Sequence, residues 1–557
     1  MSQAWLKPLL PFCIVAGVLG LVAWAARDPL RRDLRARKQV DLSRIEPNDA
    51  LLRVDQLLRT RWHDAGVSPA PPADDLTILR RLSLALRGTI PSLEEIREFE
   101  GDGESRKIDR WTQRLLADPR FAEYFSARLS RVFVGADDGQ FLLFRRDRFQ
   151  AWLSAQFQIN RPYDEIVREI ISEKGLWTGS PATNFVTAAV ANNQIDPNEL
   201  AGRTVRAFLG QRMDCAHCHN HPFAEWKQSQ FEGLAACFGQ VRITAIGIED
   251  DPRKRYAVED RNTVKSRAVE PVAPFHPEWF PDPGTLRQRL AVWVTHPDNR
   301  RFERAAVNRI WGLLFGRPWQ EPVDDLPNPQ EGSGAFEKEA SPDLTSGPPA
   351  DLLDILGQDF REQGYDLHRL IGLITATEAF RLSSAHPMGD LEPAATAIDQ
   401  QWAAFPLTRL RPEQVIGSMN QAASLQTADQ RSLLLFRLVR LIREIEFVKE
   451  YGDLGDEEFT DRAGTIPQAL LRMNGRFAKE MGEANLFNAA GRISAMSPEV
   501  DRCIETCFLV CLTRRPTPEE LRTLREAFEA AGSQERSAAV EDLVWSLFNS
   551  PEFSWSH

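Results

Sequence analysis

Along most of this chain apolar residues recur every three or four positions, and that period commits it to helices. The run LLRVDQLLRTRWHDAG, from Leu51, keeps the period as far as Gly66, and PADDLTILRRLSLALRG keeps it to Gly88. Ser92 then stands just before Leu93, with Glu94 and Glu95 in the first turn, which predicts a capped helix start. Thr517, Pro518, Glu519 and Glu520 repeat the device near the other end, with the proline at the first helical position. The period breaks between residues 240 and 282, where VRITAIGI and YAVEDR alternate apolar with polar residues and predict short strands. Residues 327–350, rich in Pro, Gly, Ser and acids, read as a loop. The expected fold is mainly α: two associated helical modules, residues 45–245 and 282–557, joined by a connector with short strands at 246–281. An N-terminal hydrophobic helix precedes them within residues 1–40.

A chain of 557 residues has room for several domains at about 150 residues each. Its net charge of −11 argues against nucleic-acid binding through a basic surface. Fourteen Trp and 31 Phe against five Tyr predict helices anchored by aromatic rings rather than by phenolic hydrogen bonds. Seven cysteines are too few to staple a fold of this length, so their placement matters more. Cys503, Cys507 and Cys511 repeat every four residues and fall on one stripe of a helix, where thiols act as small buried hydrophobes.

The strongest chemical signal is Cys215-Ala216-His217-Cys218-His219. Cys-x-x-Cys-His is the attachment pattern of c-type haem: two thiols one turn apart add to the vinyl groups, and the adjacent imidazole becomes the proximal iron ligand. That role falls to His219. The preceding stretch NELAGRTVRAFLGQRM reads as a helix, and Phe223, Trp226, Phe231 and Phe238 follow as either a wall for the porphyrin or ordinary core. Candidates for the sixth ligand are His276, His296 or an open position. Two other chemistries compete. Zinc could take Cys215, Cys218, Cys237 and one of His217, His219 or His221, although no second paired motif supports it. The cysteines could also form a disulfide or a reactive dithiol without a cofactor.

Residues 9–26 carry no charge and are about as long as a bilayer-spanning helix. Ala23-Trp24-Ala25 also fits a small-residue cleavage site. The basic stretch from Arg27 to Lys38 pulls the other way, because positive flanks tend to stay in the cytoplasm. Haem attachment of this type is completed after export, so the motif and the apolar segment support each other. They predict a cell-envelope protein held to the membrane through residues 9–26, with the remainder extracytoplasmic and within reach of redox partners.

The segments PPADDLTILRRLSLALRGTIPSLEE, DRWTQRLLADPRFAEYF and GQRMDCAHCHNHPFAEWKQSQFEGLAACF resemble the cytochrome-like planctomycete domain of unknown function fifteen forty-nine. LAVWVTHPDNRRFERAAVNRIWGLLFGRPWQEPVDDL, TIPQALLRMNG and CLTRRPTPEELRTL resemble its usual companion, domain of unknown function fifteen fifty-three. The resemblance implies export and a haem-c site at Cys215, Cys218 and His219; it implies no reaction. Ala85 departs from the pattern, standing where the resemblance implies an acid. Asn308, Arg309, Trp311, Arg317, Asp324 and Asp325 match it, and their bland reading is structural ion pairing.

A phosphate-binding Gly-x-x-x-x-Gly-Lys-Ser/Thr loop, a Gly-x-Ser-x-Gly elbow and a His-Glu-x-x-His helix are all missing from the sequence, which demotes nucleotide-driven and common hydrolytic chemistry. Two readings remain. One is an envelope redox protein using haem c. The other is a non-catalytic binding or scaffold protein whose Cys/His cluster holds zinc or a disulfide.

Overall fold

The computed structural model describes residues 49–135, 144–191, 194–222, 224–259, 266–329, 351–388, 394–428, 459, 466–485, 488–497, 499–532 and 535–557. The hydrophobic segment expected at residues 9–26 and most of the loop expected at 327–350 lie outside these residues. Among them, no helix is long and apolar enough to cross a membrane.

Helices dominate. The principal ones are α1 (Asp49–Asp64), α2 (Asp75–Arg87), α3 (Leu93–Gly101), α4 (Lys107–Ala117), α5 (Pro119–Val134), α6 (Arg146–Gln158), α7 (Tyr163–Ser172), α8 (Pro197–Leu209) and α9 (Gln228–Ala236). After the strands come α10 (Leu286–Val294), α11 (Arg300–Phe315), α12 (Leu352–Glu362), α13 (Leu367–Ala376) and α14 (Pro412–Ala422). The chain ends with α15 (Ala489–Met496), α16 (Val500–Leu512), α17 (Pro518–Ala531) and α18 (Arg536–Asn549).

Their ends follow local chemistry. Ser92 and Glu95 form a reciprocal capping box at the start of α3, and Thr517 with Glu520 does the same for α17. α2 stops at Gly88, which takes a left-handed conformation with φ +66° and donates to Leu84 O. A side chain there would also strike the Tyr124 ring.

The strands are short antiparallel pairs: β1 (Val190–Ala191) with β2 (Gln194–Ile195), β3 (Val241–Thr244) with β4 (Gly247–Asp250), and β5 (Ala257–Glu259) with β6 (Ser266–Ala268). The VRITAIGI stretch becomes the β3–β4 hairpin, as its alternation predicts. At its turn, Gly247 has φ +116°, and a Cβ there would fall 2.1 Å from the Gly175 carbonyl, so only glycine lets the hairpin lie against the end of α7. A fourth pair, β7 (Thr408–Arg409) with β8 (Trp555–Ser556), was not expected from sequence.

Residues 45–557 form one compact unit. The N-terminal helices share a core with the C-terminal ones: Leu79, Leu84, Ile96 and Phe99 pack in one cluster with Val415, Cys507, Val510, Val544 and Phe553. Cys503, Cys507 and Cys511 are all fully buried in that cluster, as their spacing predicts. Aromatic rings join the two halves elsewhere. Tyr163 stacks on Phe302 with centroids 5.6 Å apart, and within the second half Trp311, Phe315, Trp319, Trp402 and Phe405 form a contiguous group.

α2 is the hub of this arrangement. Arg80 and Arg81 are almost wholly buried and donate to backbone carbonyls, Arg80 to Cys511 and Phe553, Arg81 to Phe380, Leu382 and His557. Burial lowers their affinity for the proton, to pKa values of about 10 and about 9. Arg87, the last residue of the helix, makes a bidentate pair with the buried Glu95 at 2.6 and 3.0 Å. Arg120 reaches the same carboxylate at 2.9 Å and Asp118 at 2.5 Å.

Candidate functional site

The Cys-x-x-Cys-His segment is set in place by its neighbours in sequence and by the second half of the chain. Asp196 caps α8 through Asn198 N and Glu199 N, and Pro197 occupies the first helical position. The helix ends at Gly210 in a left-handed conformation, φ +59°, against Leu326 and Ala305. The expected continuation of the helix to Met213 does not occur, because residues 210–212 pair with 324–326 instead. Leu326 N donates to Gly210 O at 2.7 Å, Gln211 Nε2 to Leu326 O at 2.8 Å, and Arg212 Nε and Nη2 to Asp324 Oδ2 at 3.0 and 2.9 Å. Asp325 Oδ1 accepts from Arg212 N at 3.3 Å.

The motif then turns once. Residues 214–217 form a 3₁₀ turn in which Ala216 N donates to Met213 O, while Cys218 N and His219 N both donate to Cys215 O at 3.4 Å. Buried Met213 and Ala216 anchor this turn, and Cys215, Cys218 and His219 all stand on the exposed side, with both thiols free. His219 Nδ1 lies 2.7 Å from Asn220 O. Donation to that carbonyl places a proton on Nδ1, so in the neutral ring Nε2 is the nitrogen left to ligate a metal. The loop closes when Gln228 N donates to Asn220 Oδ1 and His221 N to Trp226 O. His221 Nδ1 accepts from Ala224 N at 2.9 Å.

These side chains suit covalent haem in their thiols, spacing and imidazole tautomer. Of the two roles open to the nearby aromatic residues, core packing is the one the described rings take. Phe231 and Phe238 are buried in the core, Phe231 against the His217 ring, and Trp226 packs 6.3 Å from Phe275; Phe223 lies outside the described residues. Helical spacing had allowed either role, and core packing won: Phe231 on α9, Trp226 before it and Phe238 after it are all buried. Cys237 is fully buried, its thiol donates to Gly233 O at 3.5 Å, and burial pushes its pKa up to about 12. It is a poor partner for the exposed thiols of a zinc site, and no three metal-binding side chains come together among the described residues. His276 and His296 both stack on Trp279, at 4.0 and 4.7 Å between centroids, with His276 Nδ1 2.7 Å from Glu278 Oε1.

The polar residues of the second half brace the fold. Asn308 makes two hydrogen bonds to the Gln320 backbone, Arg309 donates to Ala207 O near the end of α8, and Arg317 pairs with Asp399. Trp311 sits buried among Phe315, Trp319 and Trp402. Asp324 and Asp325 are nearest to function, since they hold the residues leading into the motif. Nothing in their local sequence announced this, because the partner Arg212 lies 112 positions away. Ala85 is buried on the wall of a small cavity beside Arg411.

Residues 53–243 match PSCyt2, a protein of unknown function (DUF1549), and residues 286–437 match PSD1, a protein of unknown function (DUF1553). The first match ends in the β3–β4 hairpin and contains the whole Cys-x-x-Cys-His turn; the second begins with α10 and contains Asn308 to Asp325. The TIPQALLRMNG and CLTRRPTPEELRTL stretches fall beyond the matched residues. No curated protein and no solved structure matches the chain. The chain thus belongs to the proteins that join a DUF1549 domain to a following DUF1553 domain.

Proposed function

We propose that this is a cell-envelope protein carrying c-type haem, attached through Cys215 and Cys218 with His219 as the proximal iron ligand, and serving redox chemistry or electron transfer. One observation carries the reading: both thiols and the imidazole of an attachment motif stand exposed on a single backbone turn, with the His219 tautomer suited to ligation. When bound there, haem supplies a one-electron couple. The chain's own part is to hold the turn rigid, through Met213 and Ala216 beneath it and the Arg212–Asp324 pair before it.

Protein matured in a host competent for cytochrome c should show a Soret band and keep its haem stain after denaturing electrophoresis. Cys215→Ala or Cys218→Ala removes one thioether and should abolish most covalently retained haem. His219→Ala should keep the thioethers but change the iron spin state and reduction potential. Absence of both the band and the stain in the parent protein defeats the proposal and moves the scaffold reading to first place. Stoichiometric zinc in metal analysis, without a Soret band in any variant, does the same.

The proposal includes a membrane tether at residues 9–26 with residues 40–557 outside the cytoplasm, supported by the charge-free run and by the post-export chemistry of haem attachment. Alkaline phosphatase fused after residue 557 should be active. An inactive fusion, with an active cytoplasmic reporter at the same position, reverses the topology.

A further inference from the structure

We infer that the cavity between α2, α11 and the β7–β8 pair is a binding site for a small monovalent inorganic anion of about chloride size. Its volume is about 20 Å³, enough for one water-sized occupant. Buried Leu84, Ala85 and Arg411 form its floor, and half-buried Thr408, Arg409 and Ser556 its mouth.

Arg411 makes the site. Only 2% of it is exposed, and its guanidinium is permanently charged. Nη1 donates to Tyr124 Oη at 3.3 Å, whereas Nε and Nη2 are buried and have no hydrogen-bond partner. Its backbone is fully engaged: Arg411 N donates to Gln414 Oε1, and Gln414 Nε2 in turn to Leu84 O. The Phe459 ring lies 5.7 Å from the guanidinium on another side and offers no counter-charge. Glu413, two residues along, pairs through Oε1 with Arg128 at 3.0 Å and Arg131 at 3.7 Å, and against the effect of burial the guanidinium groups of Arg128, Arg131 and Arg411 together hold its pKa below the usual glutamate value.

No acidic side chain is among the described residues that line the cavity, and Arg409 lies at its mouth. A buried cation with two idle donors on the wall of an open, acid-free cavity is the complement of an anion. Water would occupy the donors without adding negative charge beyond that of Glu413. A halide does both, and the cavity is too small for phosphate or a dicarboxylate. An ion here touches the first helices, the second half and the last strand together, so its binding free energy adds to the stability of all three.

The inference is independent of haem and is tested on the full chain. At equal ionic strength, thermal unfolding should occur several degrees higher in sodium chloride or bromide than in sodium gluconate, whose anion cannot enter. Ala85→Asp places a carboxylate in the cavity; it should keep or raise the unfolding temperature and erase the chloride response. Crystals of the parent protein grown in bromide should show one anomalous peak beside the Arg411 guanidinium. Equal unfolding temperatures in chloride and gluconate, a chloride response that survives Ala85→Asp, or no anomalous peak in the cavity would each overturn the assignment. The anomalous peak decides the matter if Ala85→Asp does not fold.

Discussion

Replacing Glu95 by alanine is expected to cost about 3–5 kcal/mol of folding stability, the range found when one partner of a buried ion pair is removed. Glu95 is 5% exposed and accepts from Arg87, Arg120 and Ser92 N, so the alanine variant leaves two buried guanidinium groups with Asp118 alone between them. It also breaks the capping box of α3. The pH dependence identifies the mechanism. Burial alone would raise the Glu95 pKa, but Arg87 and Arg120 overcome it and hold the carboxyl at about 2, against 4.5 for an unperturbed glutamate. A depressed folded-state pKa contributes stability that is complete above the unfolded value. That stability is lost as pH falls from about 4.5 towards 2. Urea unfolding should therefore show a large difference between the parent protein and Glu95→Ala at pH 7. The difference should narrow steadily below about pH 4.5; if it stays constant there, charge pairing is not what Glu95 contributes.

Arg287→Met should destabilise by a similar amount, about 3–5 kcal/mol, for a different structural reason. Arg287 is fully buried at the start of α10, and it clamps Asp250 at the end of β4 with contacts of 2.8 and 3.2 Å. Its remaining amino group donates to Ile171 O and Glu173 O at the end of α7. One guanidinium thus ties together the first helices, the hairpin and the second half. Methionine preserves much of the volume but strands two carbonyls and leaves Asp250 with Lys174 as its remaining cation. The double variant Arg287→Met/Asp250→Asn should recover part of the loss, with a coupling energy of at least about 1.5 kcal/mol in a double-mutant cycle. Additive losses would mean that the two side chains stabilise the fold separately.

These two sites show where sequence reading reaches its limit. Ser92 and Glu95 were legible as a cap, and Gly88 as a stop, because capping acts within one helical turn and needs only neighbours in sequence. The buried pairing of that same Glu95 with Arg87 and Arg120 was not legible, since a helical period reveals which face is covered but not by what. The stripe of Cys503, Cys507 and Cys511 was read as core for that reason, and its partners on α2 and α3 stayed hidden. At the motif, Cys215, Cys218 and His219 could be picked out by residue type and spacing alone. Their rings and clamps could not: Phe231 and Phe238 carried a periodicity that served a core as well as a cofactor pocket, and Asp324 and Asp325 had no local mark of their role. β8, only two residues long, lacks the length that makes an alternating pattern visible.

The pairing of residues 210–212 with 324–326 has a consequence for the order in which this molecule is built. Contacts between segments more than 110 positions apart close late, after the long intervening loop has lost its freedom. During synthesis, then, the cysteine turn emerges well before the stretch that steadies it, and it waits on an unfinished chain. A maturation enzyme working at that stage meets a loose peptide; one working afterwards meets the same two thiols on a fixed turn, since folding leaves them on the outside. Docking of Leu326 and Asp324 is the event that separates the two stages, so under the proposed haem attachment the second half would act as a clock for processing of the first.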